Sequence, residues 1–148
     1  MAVSSTRLTP PWLSALCIGA VLALAGCSDT AKTTEASNLC TVYAEFVQVA
    51  NQFTAQDLTT ATPEELQFRD KGLQTQLDAL AAVSNGRLDS EIAALQDSLD
   101  DYAAAVSASK DAPSAAKPLI KKSLKGVKDS YAMLQDAAVT ECGQGFQN

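Results

Sequence analysis

Residues 88–106 read LDSEIAALQDSLDDYAAAV, and the spacing of their apolar members decides the fold. Leu88, Ile92, Leu95, Leu99, Tyr102 and Val106 recur at alternating steps of four and three, the interval that keeps one side of an α-helix apolar. A strand would alternate every second residue, and this stretch does not. The helix is expected to stop in SASKDAP, residues 107–113.

Working outward, the same period appears three more times. Upstream, Leu66, Leu73, Leu77, Leu80 and Val83 form a stripe that starts at TPEE, residues 62–65. There Thr62 is placed to cap, Pro63 suits a first helical turn and Glu65 closes a capping box. Asn85-Gly86 is the stop signal. Further upstream, Leu39, Val42, Tyr43, Phe46, Val49, Ala50 and Phe53 form another stripe, with Ser37 or Asn38 as its expected N-cap. Downstream, Leu119 or Ile120 leads into Leu124, Val127, Tyr131, Leu134 and Ala138, ending at Cys142-Gly143. Gly126 is the weak point of that helix, costing about 1 kcal/mol relative to alanine if exposed. Four helices joined by short polar loops predict an all-α protein, an antiparallel up-down four-helix bundle. No strand pattern, fixed repeat or second domain competes with this reading.

The chain has 148 residues and four cysteines. Cys40 and Cys142 stand at the start of the first predicted helix and the end of the fourth, places that an up-down bundle brings to one end. A disulfide between them is therefore expected, in preference to a metal site or a nucleophile. Cys17 falls inside an apolar run and Cys27 at its edge. That run, with Arg7 before it and Ala25-Gly26 after it, has the three parts of a secretory signal. From Trp12 to Gly26 it is short for a membrane span, which needs about 20 apolar residues.

Leu24-Ala25-Gly26-Cys27 resembles the lipobox of bacterial lipoproteins. The resemblance implies that Cys27 is acylated, palmitate being a typical chain, and becomes the new N-terminus once residues 1–26 are removed. The competing reading is an ordinary signal peptide with a chance cysteine near its cut. Two or more acyl chains give a stable anchor, each buried methylene contributing about 0.8 kcal/mol. The expected organisation is then signal peptide 1–26, lipidated cysteine and flexible linker 27–38, and bundle domain 39–148. Residues 28–38 are small and polar and, fully extended, would reach about 35 Å. The expected location is the cell membrane, lipid-anchored on its extracytoplasmic face. With its alanine- and threonine-rich mature region and paired terminal cysteines, the chain also looks like small actinobacterial lipoproteins of unassigned role. That likeness implies no activity.

Charge narrows the partners. The formal net charge is −6, and removal of Arg7 leaves every acid in place. A net negative domain is not drawn to nucleic acid or to an anionic bilayer, so no nucleic-acid partner is expected and the lipid must do the anchoring. The chain contains no histidine. This removes the commonest general base and metal ligand, and no Ser-Lys or carboxylate pair is selected by spacing, so no enzyme activity is expected. No cofactor is expected, and the acids, Asp100-Asp101 included, lack the loop spacing of a calcium site.

Two sets of residues have both a functional and a plain reading. Lys117, Lys121, Lys122, Lys125 and Lys128 form either a face for an anionic partner or a solvated face paired with acids such as Asp97, Asp100 and Asp101. Tyr43, Tyr102 and Tyr131 either line a ligand pocket or pack at the bundle edge with wet hydroxyls. The expected function is an interaction or structural module of the cell envelope, its partner an envelope protein or a cell-wall polymer. The alternative is a carrier or sensor that binds a small apolar or amphipathic ligand between the helices.

Overall fold

The computed structural model describes residues 27–55, 57 and 60–143. The expected signal peptide, residues 1–26, lies outside the described residues. Four helices follow one another: α1 (Cys27–Ala55), α2 (Pro63–Ser84), α3 (Asp89–Ala108) and α4 (Pro113–Cys142). The described residues form a four-helix bundle and include no strand. None of these helices is long and apolar enough to cross a membrane.

Each helix buries positions three and four apart. The buried set includes Leu39, Tyr43, Phe46, Ala50 and Phe53 from α1, and Leu66, Leu73, Leu77 and Leu80 from α2. Ile92, Leu95, Leu99, Tyr102 and Val106 come from α3, and Ile120, Leu124, Val127, Tyr131, Leu134 and Ala138 from α4. Steps averaging 3.5 residues keep these seams facing one another over several turns. Neighbouring helices pack in the order α1, α2, α3, α4, and α4 closes back on α1.

The boundaries of α2 follow its sequence signals. The Glu65 amide donates to Thr62 Oγ1 (3.3 Å) and the Thr62 amide to Glu65 Oε2 (2.9 Å), a complete capping box. At the other end Asn85 and Gly86 take left-handed φ values of 50° and 84°. Glycine meets that demand without steric cost, and asparagine is among the few side chains that tolerate it.

Two helix starts differ from the sequence reading. Residues 27–38, expected as a flexible linker, have helical backbone continuous with α1. Ser37 and Asn38 thus lie within the helix instead of capping it, and the Ser37 carbonyl accepts from Thr41 Oγ1 at 2.9 Å. Small polar residues have only modest helix penalties, so they can extend a helix already nucleated by a packed segment. Finally, α4 begins at Pro113, well before Leu119, which is 52% exposed, and Ala116 joins the core ahead of Ile120.

Cys40 and Cys142 form a disulfide with Cα atoms 5.5 Å apart, linking α1 to the end of α4 across 102 residues. Beside it the Arg87 guanidinium, in the α2–α3 turn, lies 3.9 Å from the Glu141 carboxylate. At the other end Lys110 Nζ, in the α3–α4 connection, donates to Gln67 Oε1 of α2 at 3.2 Å.

Candidate functional site

The tyrosines are core residues. Tyr43 and Tyr131 meet through Phe46, with ring centroids 6.3 and 5.9 Å from it, whereas Tyr102 stands edge-on to Phe53 at 5.3 Å. The structure therefore divides the three between two aromatic clusters. Their hydroxyls also differ. Tyr131 donates to Asn51 Oδ1 and accepts from Gln135 Nε2, both at 3.0 Å. Tyr43 and Tyr102 have buried hydroxyls without a partner among the described residues, so they do not match the wet edge position of the plain reading. Burial pushes the Tyr131 phenol up to about 12, against the hydrogen bond from Gln135. Tyr43 and Tyr102 are raised as well, chiefly by burial, then by the neighbouring Tyr131 and Asp70 respectively.

Asp70 is the buried carboxylate that sequence reasoning missed. It is 6% exposed, accepts from Gln74 Nε2 through Oδ2 at 3.1 Å, and leaves Oδ1 without a partner among the described residues. Burial first, then the charge of Asp100, push its carboxyl up to about 6 despite the Gln74 bond. A signal was present: the α2 stripe jumps from Leu66 to Leu73, and position 70 is where the missing apolar residue belongs.

The lysines gather at the other side of the bundle. Lys121, Lys122, Lys125 and Lys128 border a groove of about 720 Å³ with Leu124 and Pro118 of α4, Ala55 at the end of α1, and Asp57. Lys117 is exposed on the same helix and lies outside this lining. Lys125 is bonded to Asp129 at 2.6 Å within α4. No ion pair joins these lysines to Asp97, Asp100 or Asp101 among the described residues. Asp97 and Asp100 instead border a cleft of about 300 Å³ between α2 and α3, with Asp78, Gln74 and Gln96. Only Asp101 shares a groove with a lysine of the set, Lys122, between α3 and α4. The lysines are exposed, as in the plain reading, but its pairing with these acids is not found among the described residues, because the helix order places most of the two charge sets on different seams.

A fourth opening, about 570 Å³, lies between α1 and α2 beside Val49, Phe53 and Phe68. Phe68 is 80% exposed and stands off the α2 stripe. None of the clefts described here has a tyrosine in its lining. Charged and apolar grooves of this kind can bind by complementarity. Compared with protein-family models, curated proteins and solved structures, the chain matches none.

Proposed function

We propose that this chain is a membrane-anchored extracytoplasmic lipoprotein whose up-down antiparallel bundle acts as an interaction module of the cell envelope. The anchor is assigned to Cys27 on the strength of Leu24-Ala25-Gly26-Cys27 and the apolar run before it. The antiparallel order is supported by contacts that run in opposite directions along neighbouring segments: Cys40 with Cys142 and Asn51 with Tyr131 between α1 and α4, and, between α4 and α3 with the turn before it, Arg87 with Glu141 and Ser98 with Ser130, whose hydroxyls are 2.7 Å apart. One observation carries the module reading. The interior is occupied by the protein's own side chains, tyrosine rings included, while apolar and charged side chains such as Phe68 and Lys121 line grooves on the outside.

A bundle that carried a ligand would be expected to leave a lined space between its helices. The carrier reading draws only on the unpartnered hydroxyls of Tyr43 and Tyr102, a pattern that an ordered water also satisfies.

The test is mass spectrometry of the protein released gently from a membrane fraction, in native form and after denaturation. The expected denatured mass lacks residues 1–26 and carries acyl chains on Cys27, and the native mass is raised by a protein-sized partner. An unmodified N-terminus would remove the anchor. A small-molecule addition to the native mass would replace the module by the carrier.

A further inference from the structure

We propose that the lysine groove between α1 and α4 receives the acidic α2/α3 seam of a second copy of this chain. The proposal rests on the module reading and names its partner. The groove presents Lys121, Lys122, Lys125 and Lys128 above an apolar floor that includes Leu124 and Pro118. In a chain of net charge −6 this concentration of positive charge is a local exception. Among the described residues, Asp129 engages Lys125, and Asp57 lies at the border of the groove.

The complementary surface is on the same molecule. Asp78, Asp97 and Asp100 border the α2/α3 cleft, with Asp70 buried behind them close enough to Asp100 for the two charges to repel. One copy cannot bring these surfaces together. Because α1 packs on α2 and α4, and α3 packs on α2 and α4, the α1/α4 and α2/α3 seams lie on opposite sides of the bundle. The acidic seam that fits the groove must therefore come from another molecule.

The spacing also agrees. Lys121, Lys125 and Lys128 follow steps of four and three along α4, and Asp97 and Asp100 are three apart along α3. Both ladders have rungs about 4.5–6 Å apart, so helices lying side by side keep successive charges opposed. Since the two surfaces differ and face opposite ways, the contact is head-to-tail and produces rows of copies instead of a closed twofold dimer. Exposed pairs are individually weak and screened by salt. A shared membrane anchor would raise their effective concentration.

The test mixes equal amounts of the full chain with light and heavy nitrogen, purified from membranes in mild detergent, and treats them with a zero-length carbodiimide. This reagent joins a lysine amine to a carboxylate in direct contact. The internal Lys125–Asp129 coupling, across 2.6 Å, reports that the chemistry has worked. Light-to-heavy couplings from Lys121, Lys125 or Lys128 to Asp97 or Asp100 are expected at about 0.01 M salt. They should fall about tenfold or more at about 1 M, where the Debye length shrinks to about 3 Å.

The double variants Lys121→Glu/Lys125→Glu and Asp97→Lys/Asp100→Lys should each lose the coupling alone. Mixed together they should regain it between positions 121 or 125 of one and 97 or 100 of the other. Absence of light-to-heavy products while the internal coupling is present would overturn the proposal, as would failure of the mixed variants to regain it. Binding of polyglutamate without self-coupling would assign the groove to a foreign polyanion and overturn it too. An unacylated Cys27 in the same samples would count against the anchor alone, which keeps the two failures separate.

Discussion

Replacing Asp70 with asparagine removes a charge that the interior opposes from several directions. Asp70 is buried on α2, faces the Asp100 charge from α3, adjoins Tyr102, and among the described residues has a single hydrogen-bond partner, Gln74. Its carboxyl is pushed from an ordinary 3.8 up to about 6, so the folded state holds the proton more tightly than the unfolded chain does. The sign follows directly. The stability tied to this group is fully present below about pH 3.8, declines as pH rises, and is gone above about 6. The difference between the two states corresponds to about 3 kcal/mol. Asp70→Asn, nearly the same size and always neutral, should therefore be more stable than the parent at about pH 7 by up to about that amount. Urea unfolding of both proteins across this pH range, with the disulfide intact, measures it. Titration of acids that do not interact with Asp70, such as Glu65, affects parent and variant alike and cancels in the difference. The reasoning fails if the gain at neutral pH is under about 1 kcal/mol, or if it does not shrink on acidification toward about pH 4.

The other expectations concern the bundle's fastenings. Cys40→Ser/Cys142→Ser opens a loop of sequence separation 102 and should cost up to about 4.7 kcal/mol in the chain-entropy account. A lowered urea midpoint, matched by reduction of the parent, checks this. Tyr131→Phe should cost about 1 kcal/mol, since it leaves Asn51 and Gln135 without their shared hydroxyl. Tyr102→Phe removes a hydroxyl with no partner and should leave stability unchanged or raise it, so thermal unfolding of the two variants should diverge.

Much of the architecture was legible because it depends on local rules. Periods of three and four residues gave the four helices, and Thr62, Pro63, Glu65, Asn85 and Gly86 marked the ends of α2. The cysteine pair was legible once the helices were counted. Less legible was the start of α1, where eleven small or polar residues without periodicity, 28–38, carry helical backbone. Periodicity reports a buried face, and a helical stretch need not have one. The start of α4 was hidden for a related reason. Proline at 113 and 118 and exposed Leu119 obscured a stripe that begins at Ala116.

The candidate sites divide along the same line. By itself the sequence determined the placement of Cys27 after an apolar run, the absence of histidine, the clustering of lysines on one stretch of α4 and the placement of Cys40 and Cys142 near opposite ends of the helical region. All of these depend on residue type and order along the chain. Only tertiary structure decided that Tyr43 and Tyr131 share one aromatic cluster while Tyr102 belongs to another, and that Asp70 points its charge into the interior. It also decided that Asp97 and Asp100 turn toward α2, across the bundle from the lysines. Helical period fixes which side of a helix is buried. Which charges then meet depends on the order in which the helices pack around the core, and that order arises from contacts among residues far apart in the chain.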